Sequence, residues 1–239
     1  MTCEDIRPRT RTPLPRHLAV IMDGNRRWAR ERGLAPVDGH REGMKRLFDI
    51  LEWSAEAGVE IVTLWQLSVD NLRRPVEELS ELLPLIGREV DELAARQRWR
   101  INPIGRVAAL PDYLRDALQR AAAATAELDG MIVNFAVAYD GRAELIDALC
   151  TLKPEDAVRV GDDPGSWQEW VTGHLYTAGQ PDPDLIIRTS GEQRLSGFMI
   201  WQSAMAEYFF CDTYWPAFNR DDFDGALDSF AARARRYGR

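Results

Sequence analysis

Short apolar runs recur along the chain, each closed by polar or turn-forming residues and followed by helical spacing. His17–Met22 (HLAVIM) stops at Asp-Gly and reads as a buried strand. Asn25–Arg32 starts a helix that ends at Gly33. In Asp38–Ala57, Met44, Leu47, Phe48 and Leu51 return to one face, with Gly58 as the stop. Glu60–Leu67 (EIVTLWQL) is a second strand. Pro75 suits the first turn of a helix running to about Arg98, in which Pro84 predicts a kink or a break. Ile101–Val107, Met131–Val137 and Asp184–Arg188 are further strands, with helices over Asp112–Leu128 and Gly141–Cys150. Pro154–Gly165 is polar and turn-rich and reads as a mobile loop.

Strands alternating with helices at this spacing predict right-handed crossovers. The fold class is therefore α/β, a single domain whose mainly parallel central sheet is flanked by helices. Residues 1–16 read as a flexible N-terminal segment and 17–239 as the folded domain. In such sheets ligands bind beyond the carboxyl ends of the strands. Asp23, the segment Ser68–Arg74 and the segment Arg188–Ser196 are thereby given one address.

Composition adjusts this picture in three ways. The charged, proline-broken N-terminus has no apolar h-region, and no apolar run approaches a bilayer span, so the chain reads as cytoplasmic. The three cysteines (Cys3, Cys150 and Cys211) lie far apart, without metal-ligand spacing. A net charge of −8 argues against a nucleic-acid partner. Against that acidic background, Arg26, Arg27, Arg30 and Arg32 fall within seven residues, directly behind Asp23. They are either a solvated helix face or a focused site for a small anion.

The chemistry these segments offer favours phosphate. Gly24 permits close backbone approach, Asn25 can cap the following helix, and a helix N-terminus with Arg27 binds phosphate oxygens. Asp23 would repel that anion unless a hard divalent ion such as Mg²⁺ lay between them; the plainer alternative is that Asp23 caps the turn. Asn71, Arg73 and Arg74 follow the second strand. Arg188, Arg194 and Ser196, in a loop with Gly191 and Gly197, form a second anion cradle. No Walker pattern is present.

HLAVIMDGNRRWARERGL, SVDNLRRP, AYDGRAELIDAL and PDLIIRTSGEQRLSGFMIWQSAMAEYFF, followed by WPAF, occur in the order and spacing of the cis-prenyltransferase family. Undecaprenyl diphosphate synthases are its best-known members. The resemblance spans nearly the whole chain, from His17 to Gly238. It implies that 17–239 is a catalytic domain with a hydrophobic tunnel between sheet and helices. It also implies Mg²⁺-dependent condensation of an allylic diphosphate (dimethylallyl, geranyl or farnesyl) with isopentenyl diphosphate, forming a Z double bond. Matched motif by motif, Asp23 and Asn71 are catalytic, and Asp23 and Glu207 place the metal. Gly24, Asn25, Arg27 and Arg74 bind the allylic substrate, Arg188, Arg194 and Ser196 the diphosphate of isopentenyl diphosphate, and Arg26, Trp28 and His40 are further substrate-binding residues. A homodimer with at most weak membrane association is implied as well. The terminal RRYGR is either an arm reaching the partner's site or a solvated basic tail. The tunnel walls would come from Met44, Leu47, Phe48, Leu51, Leu79, Leu82, Leu83 and Ile86, or these are plain core residues.

The chain departs from the family pattern at several places. Ala35 and Pro36 stand where Pro-Arg is usual, and that arginine is a phosphate contact. Leu67, Asp70 and Leu72 replace Phe, Glu and Trp; Ala138 and Asp140 replace Asn and Gly; Gly197 replaces Asn. Gln66 is larger than the small residue usual in long-chain synthases and predicts a short product. These departures leave three readings: an ordinary short-chain Z-prenyl diphosphate synthase, a member joining an allylic diphosphate to another acceptor (including irregular, lavandulyl-type coupling of two allylic units), and a non-catalytic subunit.

Overall fold

In a computed structural model of the chain, residues 13–233 are described. β1 (His17–Ile21) is buried along its whole length. It lies between β2 (Ile61–Ser68) and β5 (Leu185–Arg188), parallel to both, with Ile21 opposite Trp65 on one side and Arg188 on the other. The six strands run in the order β3-β4-β2-β1-β5-β6, where β3 is Arg100–Ile104, β4 Ile132–Tyr139 and β6 Glu207–Phe210. All neighbours are parallel. The order reverses at the β1/β5 pair, which is where a ligand crevice opens in a sheet of this kind.

Successive strand residues point to opposite faces, and the core divides accordingly. Leu18 and Val20 join a cluster with Leu47, Leu51, Leu64, Leu114 and Phe223. Ala19 and Ile21 face Ala136, Tyr139, Ile186, Phe198 and Met199. Each fully buried aliphatic chain contributes about 1.5–3 kcal/mol of transfer free energy.

Eight α-helices flank the sheet among the described residues. α1 (Asn25–Glu31) and α2 (Pro36–Ala57) follow β1; α3 (Val76–Ala95) follows β2; α4 (Asp112–Thr125) follows β3. α5 (Gly141–Cys150), α6 (Pro154–Val160) and α7 (Pro164–Thr172) lie between β4 and β5, and α8 (Arg220–Ala232) comes last. α2 has Pro36 in its first turn, where a missing N–H costs nothing, and ends on Gly58 at φ 83°. Pro84 does not end α3, which continues to Ala95.

One sequence expectation needs correcting, and one strand was not foreseen. The stretch Pro154–Gly165, read as a mobile loop, is mostly α6 and the start of α7. Its aspartates cap helices: Asp156 accepts from Lys153 N at 3.1 Å and Asp163 from Ser166 N at 2.7 Å. The same side chains serve turns and caps alike, which is why the stretch looked like a loop. β6 was not predicted, because it is four half-buried residues at the sheet edge. The segment 1–16, read as flexible, is described from Pro13 onward, and there Pro15 is buried and Arg16 N donates to Asp184 Oδ2 at 2.8 Å. RRYGR and Cys3 lie outside the described residues. No described helix is long and apolar enough to cross a membrane.

Candidate active site

One cavity of about 890 Å³ opens over the carboxyl ends of β1, β2 and β5. Arg26, Arg27, Arg30, Arg74 and Arg188 line it, against Asp23 and Asp70 as the acidic side chains. Three of the four clustered arginines, Arg26, Arg27 and Arg30, thus face one cavity with Arg74 and Arg188, while Arg32 stacks on Trp28 outside it.

Asp23 follows β1 at the reversal point. Its Oδ2 accepts from Arg188 Nη2 at 2.9 Å, and its Oδ1 lies 3.4 Å from Arg27 Nη2. Burial alone would raise the Asp23 carboxyl. The hydrogen bond and charge of Arg188, with Arg27 and Ser190, outweigh burial and hold it below the usual carboxylate range. Its backbone carbonyl accepts from Thr189 Oγ1 at 2.6 Å and Trp215 N at 3.0 Å, which fixes the turn. With the side chain still 31% exposed, the ionised carboxylate reaches the cavity.

Gly24 is the residue before α1, at φ 106°, and a Cβ there would sit 2.7 Å from the Tyr214 ring. No other residue fits that approach. Asn25, expected to cap α1, is instead its first helical residue. Its Nδ2 donates back to Met22 O at 3.1 Å, and its Oδ1 is buried without a partner. Gly39 and Gly43 let α2 close on this turn: a Cβ on Gly43 would come within 2.4 Å of Asn25 Oδ1.

Arg188 is nearly enclosed. Its Nη1 donates to Ser196 Oγ at 2.9 Å and also to the Arg194 carbonyl. The loop it holds contains Ser190, Gly191, Ser196, Gly197 and Met199, all at positive φ, the kind of strain that gathers at ligand sites. Arg27 donates to Ser190 Oγ at 2.6 Å and to Glu192 at 3.1 Å. Arg74 and Arg26 share Glu78, at 3.1 Å and 3.7 Å. His40 is half-buried beside Arg74 and Arg26. Burial first, then those two charges, lower its pKa to about 4, so it is neutral, and its Nε2 has no partner. Asn71 and Ser68 bond reciprocally: Asn71 N donates to Ser68 Oγ at 3.0 Å, and Ser68 N donates to Asn71 Oδ1 at 3.2 Å. This turn presents Asn71 to the cavity.

Asp23, Gly24, Asn25, Arg26, Arg27, His40, Asn71, Arg74, Arg188 and Ser196 therefore share one cavity wall. Trp28, Arg194 and Glu207 do not. Trp28 lies under the Arg32 guanidinium, 4.3 Å from its ring centroid, and Arg194 pairs with Glu192. Glu207 starts β6, opposite Leu185 and thus at the amino end of the sheet, where it pairs with Arg233 at 2.7 Å. No cluster of three metal-ligating side chains exists among the described residues. The donor set fits an ion that takes one carboxylate here and its other ligands from a bound phosphate and water.

Of the walls proposed for a tunnel, Met44, Leu82 and Ile86 line a narrow extension of the cavity between β2, α2 and α3. Leu47, Phe48, Leu51 and Leu83 are plain core. Sequence reading missed Ser190 and Glu192 as arginine partners, and Glu89, a carboxylate only 2% exposed. The signal for Glu89 was available: it occupies the apolar stripe of α3 with Leu82, Ile86 and Leu93.

Two departures from the motif pattern prove to be one. Asp140 caps α5, its Oδ1 accepting from Arg142 N and Ala143 N, each at 3.0 Å. A Cβ on Gly197, at φ 91°, would lie 2.6 Å from Asp140 Oδ2. The cap at 140 thus occupies the space a side chain at 197 would need.

A family model described as putative undecaprenyl diphosphate synthase matches residues 21–238. The chain is 48% identical to the (2Z,6E)-farnesyl diphosphate synthase of Thermobifida fusca, over 95% of this chain and 91% of that protein. It is 48% identical to isoprenyl transferase 1 of Streptomyces avermitilis, over 94% and 89% of the two. A crystal structure of lavandulyl diphosphate synthase from Lavandula x intermedia, in complex with dimethylallyl diphosphate, superposes with a TM-score of 0.85 at 33% identity. That match covers 95% of this chain and 99% of the other. By its fold, its site and these relatives, the chain is a prenyltransferase and belongs to the undecaprenyl diphosphate synthase family of cis-prenyl diphosphate synthases.

Proposed function

We propose that the enzyme condenses an allylic diphosphate with isopentenyl diphosphate to a short-chain Z-prenyl diphosphate, using Mg²⁺. The observation that carries this reading is the cavity in which Asp23 and five arginines meet, with a smaller space of about 30 Å³ beside it that shares Asn25, His40 and Gln66. Farnesyl-length synthesis in the Thermobifida fusca relative supports the short product.

In the ligand-free protein Arg188 and Arg27 neutralise Asp23. A diphosphate offers those guanidiniums a better bidentate partner, which releases the Asp23 carboxylate to hold the metal. Mg²⁺, when bound, would neutralise charge on the leaving diphosphate. Arg27 and Arg74 line the same cavity and would bind that charge once they exchange their present carboxylate partners for it. Arg188 and Ser196 hold the second diphosphate beside Asn71. The proton lost from the acceptor leaves with released diphosphate or water. Ile146 and Leu149, exposed on α5 one turn apart, support a homodimer.

The test is mass spectrometry of dephosphorylated products from dimethylallyl, geranyl and farnesyl diphosphates, each with and without isopentenyl diphosphate. A linear Z alcohol that needs isopentenyl diphosphate and is lost with EDTA is expected. The likeness to a lavandulyl synthase, together with Pro36, favours a second reading, the joining of two allylic diphosphates. A branched or cyclic alcohol from dimethylallyl diphosphate alone would establish it.

Pro36→Arg separates the two further. Pro36 lines the cavity in the first turn of α2, and a guanidinium–phosphate contact is worth about 1.5–3 kcal/mol. Under the first reading the substitution lowers KM for the allylic substrate by roughly ten-fold or more. An unchanged KM or lost activity would mean that the site is built around another ligand.

A further inference from the structure

Between β6 and α8 the chain lays Thr213, Tyr214 and Trp215 against the elements that wall the phosphate cavity. The Thr213 carbonyl accepts from Ser190 N at 2.8 Å, and Trp215 N donates to the Asp23 carbonyl at 3.0 Å. Trp215 Nε1 donates to the Gly43 carbonyl of α2 at 2.8 Å. Tyr214, between them, meets α1 at both ends. Its ring fills the space that a side chain on Gly24 would take, and the Arg27 guanidinium stands over the ring, 5.6 Å from its centroid. Its hydroxyl donates to Glu31 Oε1 at 2.7 Å, at the last residue of the helix. Tyr214 does not itself line the cavity.

The partners of Arg27 differ in what an incoming diphosphate does to them. Asp23, Glu192 and Ser190 all hold it by its N–H groups, the same groups a phosphate needs. A ring face holds an arginine through its π-system, occupies none of the N–H donors and carries no charge to repel the anion. The ring can therefore stay in contact with Arg27 while the N–H groups pass from carboxylate to phosphate. We propose that Tyr214 is a positioning residue for the diphosphate site, its ring keeping the Arg27 guanidinium at the cavity wall through that exchange. Gly24 belongs to the same device, since a side chain there would displace the ring. The proposal rests on the reading that the cavity takes an allylic diphosphate.

A double-mutant cycle tests it. Decyl diphosphate, which lacks the allylic double bond and is not turned over, is titrated with Mg²⁺ by calorimetry into the wild type, Tyr214→Leu, Arg27→Ala and the double variant. Tyr214→Leu keeps apolar bulk against Gly24 and loses the ring. It should weaken binding about five-fold, the usual size of a partly exposed cation–π contact. With Arg27 already replaced by alanine, the same change should cost less than about two-fold, the limit within which independent sites add. Tyr214→Phe, which keeps the ring and gives up only the Glu31 bond, should restore wild-type affinity. Should leucine fail to fold, Tyr214→Met carries the same comparison. An equal loss with and without Arg27 would mean that Tyr214 supports the turn alone, and a loss in Tyr214→Phe as large as in Tyr214→Leu would move the effect to the hydroxyl. Either result overturns the proposal while leaving the diphosphate site standing. A wild type that does not bind decyl diphosphate would sink both.

Discussion

Asp23→Ala is expected to lower kcat/KM by at least ~10³-fold while the chain stays folded. Loss of one preorganised group acting on developing charge costs about 3–4 kcal/mol in comparable sites, and Asp23 is also the carboxylate proposed to hold the metal. The structural cost is contained, because Arg188 keeps its bonds to Ser196 and the Arg194 carbonyl, and the turn is fixed by the Asp23 backbone. Asp23→Asn provides the sharper comparison. The amide oxygen can still accept from Arg188, so melting should stay near wild type while turnover falls almost as far as in alanine. Melting curves and steady-state rates at saturating Mg²⁺ decide it. Wild-type turnover in either variant, with metal still required, would remove Asp23 from the mechanism.

How much of this could be read from the sequence depended on whether the signal was local. β1 and β2 were legible because burial on both faces leaves unbroken apolar runs, HLAVIM and EIVTLWQL. The address of the site followed from a rule of topology, and the structure places Ile21 and Arg188 in register at the reversal point. β6 was not legible: EYFF is short, half-buried and paired along one edge. The helices α6 and α7 hid behind Asp and Pro residues that mark caps and turns equally.

Within the site, residue types were readable but their partners were not. The sequence shows Arg27 and Glu192 only as distant charges, and the 3.1 Å contact between them arises from the fold. Glu207 shows the limit from the other side, since motif position gave no hint that the amino end of β6 would hold it against Arg233. Asp140 and Gly197 looked like two independent losses. They are one exchange, because the Asp140 carboxylate fills the space a side chain on Gly197 would need.

Glu89→Gln is expected to stabilise the protein increasingly as pH rises. The Glu89 carboxyl has an ordinary value of 4.5 in the unfolded chain and about 8 in the folded one, burial being the main cause. Between those values the folded state holds a proton that the unfolded state has released, so stability falls with rising pH. At 1.36 kcal/mol per unit the loss reaches up to about 5 kcal/mol by pH 8, equivalent to roughly 10 °C in Tm for a domain of this size. Glutamine stays neutral and escapes this loss. Two of the three histidines set the opposite limb: burial lowers His17 and His40 to about 4, so both proteins lose stability together as pH falls from the ordinary 6.5 toward 4. Melting temperatures across this range should therefore coincide near pH 4.5 and diverge steadily up to pH 8. Parallel curves would mean that Glu89 is ionised in the folded protein, and that water or a cation reaches it behind the cavity wall.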